Sequence, residues 1–267
     1  MFDLTRFVKA PKNKKDLFYL RKKYYNGVIA LANAYNGVIS FFNRRKLAPS
    51  GSRELDEIRR HSLIRTDISD HLETLYEESL SVNPKLIVEL GVGPGHSTFV
   101  FERVAKICGA RLVSVDLAEG KKSASSWSDW IFVNKNDIEF AKEFSQWAKG
   151  RGIEPAIDIL FIDTSHKYEH TLQEIEGWFP YLSRKAKVFF HDTNVRPIYR
   201  RRDGTIGLAY DIKRGVIRAL ETYFGKSFNE KRDFTDFCNG WSIRHYSLCN
   251  GLTILTRQDL DQAADTL

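Results

Sequence analysis

The segment VELGVGPGHST, residues 88–98, joins an apolar run directly to three alternating glycines, Gly91, Gly93 and Gly95. Such a run followed by a bare turn is typical of a buried strand that leads through a loop into a helix. Ligands of open α/β sheets bind at the carboxyl ends of the strands, and a loop without side chains lets them approach the main chain. The segment therefore predicts an α/β fold with a ligand site at residues 91–95.

Short β-branched runs alternate with amphipathic stretches along most of the chain, which is typical of parallel strands joined by crossover helices. Near the end, two runs flank a turn at Asn250 and Gly251 and predict an antiparallel hairpin. We expect a Rossmann-like, doubly wound, mostly parallel seven-stranded sheet that this C-terminal hairpin completes. The predicted strands are residues 86–90, 111–116, 130–134, 157–163, 187–191, 241–246 and 252–256, and a helix is predicted over residues 206–224.

The positive charge of the chain is concentrated at its beginning. The net charge is +7, but residues 1–60 alone hold 14 Lys and Arg against 5 Asp and Glu. We therefore predict a basic helical extension at residues 1–52 and one α/β domain at residues 53–267. No nucleic-acid partner is expected, because the charge belongs to the extension and no recognition module accompanies it.

Cysteine content and hydropathy favour a cytoplasmic protein. The three cysteines, Cys108, Cys238 and Cys249, fit neither a disulfide framework nor a zinc-site spacing. The longest apolar stretch, residues 27–42, contains two asparagines and is too short for a membrane span.

Two classes of cofactor compete for the glycine loop. A dinucleotide fingerprint needs a third glycine where His96 stands, so binding of a nicotinamide cofactor loses its main support. The observed spacing is GxGxG after an acid, Glu89, and the next strand ends in Asp116, which can accept both hydroxyls of a ribose. The third strand leads to Asn136 and Asp137, which are placed to reach an adenine edge.

With these features the chain resembles the class I S-adenosylmethionine-dependent methyltransferases. It is most similar to the branch of macrolide-sugar O-methyltransferases and cephalosporin-hydroxylase-like proteins. The resemblance rests on VELGVGPGHST, VSVD, IDILFIDTSHKYEHTLQEIEGWFPYL and KVFFHDT, in that order. It implies an enzyme that methylates a sugar, glycan or small-molecule hydroxyl. The cofactor-binding residues that it implies are Glu89, Gly91, Gly93, Gly95, His96, Ser97, Asp116, Asn136, Asp137 and Asp163.

The chemistry is expected at the ends of the fourth and fifth strands. FIDTSH places Asp163 and His166 there, and FFHDTN places His191 and Asp192 beside them. In one mechanism Asp163, Asp192 and His191 hold a divalent ion such as Mg²⁺, which lowers the pKa of a bound hydroxyl. In the other, His166 or His191 removes the proton directly. Related enzymes have an oxygen ligand where His191 stands, so both mechanisms remain open.

The segment NVRPIYRRRDGTIG, residues 194–207, follows Asp192 and is strongly basic. We expect Arg196, Arg201 and Arg202 to clamp a phosphate or carboxylate of the acceptor, because guanidinium groups suit both.

The basic extension has two interpretations. It can lie on an anionic membrane surface, or it can pack on the domain or on a second subunit, which would make the protein a homo-oligomer. Other functions also remain open: a member of the fold without activity that binds the cofactor, a membrane-associated member, or a NAD-dependent oxidoreductase.

Overall fold

The computed structural model describes residues 14–43, 47–118, 127–209 and 212–258, and for residues 14–25 it describes the backbone alone. Predictions that concern residues 1–13 and 259–267 lie outside this part of the chain. The described helices are α1 (Lys14–Phe42), α2 (Arg53–His61), α3 (Leu72–Leu80), α4 (His96–Cys108), α5 (Asp137–Lys149), α6 (Tyr168–Trp178) and α7 (Gly215–Phe224). The strands of the main sheet are β1 (Leu86–Leu90), β2 (Arg111–Asp116), β3 (Trp130–Asn134), β4 (Ile157–Ile162), β5 (Leu182–His191), β8 (Phe234–Cys238), β9 (Trp241–Tyr246) and β10 (Leu252–Arg257).

The main sheet has eight strands in the order β3-β2-β1-β4-β5-β10-β9-β8. The first five are parallel, and β10 pairs antiparallel with β5. The Rossmann-like, doubly wound sheet with its terminal hairpin is therefore confirmed, but the predicted count of seven strands is wrong. The sequence pattern missed β8, an edge strand whose residues are only partly buried and which includes Asp236.

The predicted helix over residues 206–224 is also wrong. Ile206–Leu208 is a short strand, β7, which pairs antiparallel with β6 (Ile198–Arg200), and α7 begins only at Gly215. Lys213 and Arg214 both have positive φ, which interrupts any helix that runs through them. Gly215 allows close packing, because a Cβ there would lie 2.2 Å from the carbonyl oxygen of His166.

Apolar layers cover both faces of the sheet, as a doubly wound fold requires. Successive residues of β1 alternate between them, since Val88 packs with the α5–α6–α7 layer and Ile87 with the α2–α3–α4 layer. Trp178 and Phe101 are fully buried in the two layers. Each such side chain contributes about 2–3 kcal/mol through the area that it removes from water. This packing holds the ends of β1, β2, β4 and β5 at one edge.

The long helix α1 lies against β7 through the face that contains Ala32 and Asn36. Within the described residues, no helix is long and apolar enough to cross a membrane. The boundary that we predict at residue 52 falls between the end of α1 at Phe42 and the start of α2 at Arg53, and it stays a prediction.

Candidate functional site

A cavity of about 510 Å³ opens at the carboxyl ends of the central strands. Its walls come from the glycine loop, from the ends of β2 and β4, from the start of α5 and from residues 66–68. Nine of the predicted site residues line it: Gly91, Gly93, His96, Ser97, Asp116, Asp137, Asp163, His166 and Asp192. The structure therefore brings together most of the cofactor and catalytic residues expected from the sequence.

The glycines of the loop differ in the space that surrounds them. At Gly91, with φ +84°, a Cβ would lie 2.0 Å from the carbonyl oxygen of Asp163, so β1 and β4 approach each other closely there. At Gly93 a Cβ would meet no described atom within 4 Å, so this part of the loop is open to a ligand. Gly95, with φ +86°, directly precedes α4. The helix therefore presents its N-terminal N–H groups beside the cavity.

Glu89 supports the loop from below and does not line the cavity, so the expected contact with a cofactor is corrected. Its buried carboxylate accepts hydrogen bonds from Ser97 Oγ (2.6 Å), Thr98 Oγ1 (2.9 Å) and Ser114 Oγ (2.6 Å). Burial raises its pKa to about 7, although the three hydroxyl groups oppose the shift. The side chain thus ties the start of α4 to β1 and β2.

Replacing Glu89 by glutamine is expected to remove a pH dependence from the stability. The ordinary pKa of 4.5 rises to about 7 on folding. The folded chain therefore holds more protons over this range, and the associated stability is complete below pH 4.5 and lost as the pH rises through 7. In urea unfolding between about pH 5 and pH 8, the free energy of unfolding of the wild type should fall by about 3 kcal/mol relative to that of Glu89→Gln. Parallel pH curves for the two proteins would contradict this role.

Asp116 and Asp137 both reach the cavity, but Asn136 does not. Asp116 Oδ2 accepts hydrogen bonds from the backbone N–H of Val92 (2.8 Å) and of Gly93 (3.2 Å), which links the end of β2 to the glycine loop. Asn136 is the N-cap of α5, and its side-chain oxygen binds the N–H groups of residues 138 and 139. Its predicted cofactor contact is therefore corrected. The capping role of Asn136 leaves the neighbouring carboxylate of Asp137 free to face the cavity.

His170, on α6, also lines the cavity. Its Nε2 lies 3.0 Å from Asp137 Oδ2 and 3.8 Å from Glu174 Oε1. Burial, together with the nearby charge of Asp137, raises the pKa of Glu174 well above its ordinary range, while a hydrogen bond from Thr164 opposes this shift. His170 and Glu174 are four residues apart, and this spacing was the sequence signal for a shared helix face.

Two aspartates and two histidines form a charge cluster at the ends of β4 and β5. His166 Nε2 lies 3.1 Å from Asp163 Oδ1 and 2.9 Å from Asp192 Oδ2. His191 Nδ1 lies 3.3 Å from Asp163 Oδ1 and 3.5 Å from Asp192 Oδ1, and its Nε2 lies 3.3 Å from the carbonyl oxygen of Asp67. The sequence prediction that these four side chains converge describes the observed geometry.

The cluster favours the protonated form of both histidines and the ionised form of Asp163. Burial opposes protonation, but Asp163 and Asp192 together raise the pKa of both His166 and His191 to about 10. Burial likewise opposes ionisation of Asp163, whose pKa is nevertheless held well below its usual range by the charge of His191 and by the hydrogen bond from His166. The neighbouring His71 is fully buried, and its pKa falls to about 3 through burial and the charge of His191.

The same cluster offers a set of metal ligands. Asp163, His191 and Asp192 each present one donor atom, and these three atoms lie within 4.8 Å of one another. Asp192 Oδ1 is buried and makes no hydrogen bond within the described residues. Its 3.5 Å separation from His191 Nδ1 meets the distance for an ion pair, but the two atoms do not form a hydrogen bond. A buried carboxylate oxygen without a donor fits a cation. Of the two predicted bases, His166 lines the cavity and His191 lies behind it.

Of the three arginines of the predicted clamp, the structure buries Arg201 within the fold and leaves Arg196 and Arg202 exposed. Arg201 is buried, and its guanidinium donates to the carbonyl oxygens of Thr66 (3.1 Å) and Ile206 (2.8 Å) and to the hydroxyl of Tyr199 (2.9 Å). The backbone N–H of Arg202 donates to Asp70. Arg196 is exposed and donates to Asn194 Oδ1. In the described part of the chain, the cavity wall includes none of the three.

Residues 66–68 are the part of the site that the sequence did not indicate. Thr66, Asp67 and Ile68 line the cavity, and the carbonyl oxygen of Asp67 contacts His191. His61 also approaches the site, with its Nε2 2.9 Å from His96 Nδ1. These contacts join segments remote in sequence, and we find no local pattern that predicts them.

Comparisons with known proteins agree with this geometry. A family model described as a methyltransferase domain matches residues 88–193. The uncharacterized protein y4gI of Sinorhizobium fredii is 30% identical over 127 residues, which are 43% of this chain and 14% of that protein. The chain thus corresponds to a small part of that relative.

Two solved structures share the fold at low identity. A proposed O-methyltransferase from Klebsiella pneumoniae has a TM-score of 0.51 at 12% identity, covering 86% of this chain and 100% of that one. The SAH-bound methyltransferase PaMTH1 of Podospora anserina has a TM-score of 0.50 at 11% identity, covering 94% of this chain and 99% of that one.

Proposed function

We propose that this chain transfers the methyl group of S-adenosylmethionine to a hydroxyl of a small-molecule or glycan acceptor, since residues 88–193 match a methyltransferase-domain model. The observation that carries the proposal is the cavity itself. One wall is a glycine loop with open space at Gly93, and the Asp163–His166–Asp192 cluster begins next to the first glycine of this loop, Gly91. A donor bound along the loop would therefore lie within reach of the cluster.

The residues present fit S-adenosylmethionine. The bare backbone near Gly93 leaves room for the amino-acid part, and the partial positive charge at the start of α4 suits a carboxylate. Asp116 accepts three backbone hydrogen bonds, from Val92, Gly93 and Ala118, and the lone pair left on its Oδ1 can accept a ribose hydroxyl. Asp137, oriented by His170, can accept the adenine amine. The bound cofactor supplies an electrophilic methyl group for direct displacement by the acceptor oxygen.

The chain must align the acceptor oxygen with this methyl group and take up its proton. The carboxylates of Asp163 and Asp192 face the cavity at the reacting end, and His166 lies between them. Since both aspartates hold His166 protonated, it becomes a base only when a carboxylate is diverted from it. A divalent ion on Asp163, Asp192 and His191 would displace the proton of His191 and divert both carboxylates from His166, and it would also lower the pKa of the acceptor hydroxyl.

The chemistry of the donor set limits the kinds of ion that the site can bind. Two carboxylates suit Mg²⁺, whereas an imidazole nitrogen suits Mn²⁺ and other transition ions better. We propose a site that accepts either ion, with His191 as the residue that shifts preference toward Mn²⁺.

The proposal predicts turnover only with hydroxyl acceptors. Purified protein should be incubated with S-adenosylmethionine, with Mg²⁺ or Mn²⁺, and with a panel of sugars, sugar nucleotides and catechols, each paired with its deoxy analogue. Formation of S-adenosylhomocysteine should occur with at least one hydroxyl compound and fall at least ~100-fold for its deoxy partner. Equal turnover with both members of a pair would contradict O-methylation.

A further inference from the structure

Helix α1 is held to the domain by polar contacts along one face. Asn36 makes two hydrogen bonds of 2.8 Å with the backbone of Ile206, one through Nδ2 and one through Oδ1. Asn43 Nδ2 donates to the carbonyl oxygen of Asp203 at 2.9 Å, and Tyr35 donates its hydroxyl to the carbonyl oxygen of Gly204 at 3.2 Å. These contacts attach α1 to the β6–β7 hairpin and fix which of its faces points away from the domain.

A second face of α1 carries an exposed apolar stripe. Leu31, Val38 and Phe42 follow the spacing i, i+7 and i+11, so they lie in one line along the helix. Leu31 is 74% exposed, Val38 58% and Phe42 75%. Phe41, beside the stripe, is exposed as well. Surface leucines and phenylalanines are common singly, but a continuous row of them marks an interaction surface.

The charges around the stripe indicate the kind of partner. No Asp or Glu occurs from residue 17 to residue 53, whereas Lys and Arg occur at 21–23, before the stripe, and at 44–46, directly after it. If two copies of α1 paired through the stripe, basic clusters would face basic clusters in either direction, and this segment holds no carboxylate to separate them. The stripe with its basic ends therefore fits an anionic surface better than a second copy of the chain.

We propose that α1 lies on an anionic lipid surface, with Leu31, Val38 and Phe42 among the acyl chains and the basic clusters on the headgroups. Arg65 lines a groove between α1 and the domain, and the next residue, Thr66, lines the cavity. The proposal does not depend on the methyltransferase function, since its test measures binding to lipid alone.

Sedimentation of the full chain with vesicles tests the proposal. The protein should pellet with phosphatidylcholine vesicles that contain about 30 mol% phosphatidylserine, and much less with pure phosphatidylcholine. The partition coefficient should fall at least ~10-fold in a triple variant, Leu31→Ser, Val38→Ser and Phe42→Ser. The double variant Lys22→Glu and Lys23→Glu should lose a similar factor. A control variant, Ile107→Ser and Phe237→Ser, removes exposed apolar side chains elsewhere and should bind as the wild type does.

Circular dichroism and thermal unfolding of each variant establish that a loss of binding is not a loss of folding. Equal pelleting of the wild type and the triple variant would overturn the proposal, as would equal binding to neutral and anionic vesicles. Light scattering that shows a wild-type dimer and a monomeric triple variant, with no vesicle binding, would also overturn it and assign the stripe to a second copy.

Discussion

Replacing Gly91 by alanine should weaken binding of S-adenosylmethionine by at least ~100-fold and destabilise the domain by about 3 kcal/mol or more. A Cβ at this position would lie 2.0 Å from the oxygen and 2.7 Å from the carbon of the Asp163 carbonyl, so the end of β1 or of β4 must move. The positive φ of +84° adds about 1–2 kcal/mol for any residue other than glycine. The displacement affects the glycine loop and Asp163 together, and both line the cavity.

Gly51 offers a matched control for this variant. Its φ of +85° is nearly that of Gly91, but a Cβ there would meet no described atom within 4 Å. Gly51→Ala should therefore cost only the backbone strain, about 1–2 kcal/mol, and leave cofactor affinity unchanged. Calorimetric titration and urea unfolding of both variants separate strain from collision. Wild-type affinity in Gly91→Ala would mean that the loop is not part of the binding site.

Replacing Asp192 by asparagine is expected to reduce affinity for Mn²⁺ by at least ~10-fold and methyl transfer by about 10²–10⁴-fold. The variant removes one of two carboxylates in the cluster and changes the hydrogen-bonding capacity of Oδ1, the buried oxygen without a described donor. Asparagine tolerates the φ of +57° at this position, so the backbone should keep its conformation. Affinity for S-adenosylmethionine should change little, because the proposed contacts with the cofactor lie at Asp116, Asp137 and the glycine loop.

Asp158→Asn is the control for the loss of a buried carboxylate on β4. Asp158 accepts hydrogen bonds from Lys85 N at 2.6 Å and Ser183 Oγ at 2.7 Å, and it does not border the cavity within the described residues. This variant should lose stability but retain Mn²⁺ binding, which electron paramagnetic resonance of the ion measures directly. Unchanged Mn²⁺ affinity in Asp192→Asn would exclude the proposed ligand set.

The sequence predicted the fold well where the signal was local. The methyltransferase resemblance is confirmed over residues 88–193. Four of the five parallel strands appear close to their predicted positions, whereas β5 begins at Leu182, five residues before its predicted start. The helix over residues 206–224 failed because neither Lys213 nor Arg214 signals a left-handed conformation as a glycine would. Strand β8 was missed because its edge position needs no continuous apolar pattern.

The sequence predicted which residues meet at the candidate site better than it predicted the contacts that each of them makes. Strand ends meet at one edge of a parallel sheet, so the convergence of Asp163 and Asp192 follows from topology. That Arg201 turns inward depends on the carbonyl of Thr66, 135 residues away in sequence. That His170 joins Asp137 depends on how α6 packs beside α5. Local pattern carries no information about such distant pairs.

The claim that this cavity holds S-adenosylmethionine is tested most directly by calorimetric titration of the wild-type protein with that compound, with S-adenosylhomocysteine and with NAD⁺. The account predicts saturable binding of the first two at one site per chain, with a dissociation constant on the order of micromolar, and no heat of binding from NAD⁺. Saturable binding of NAD⁺, or no binding of either sulfur compound, would contradict it.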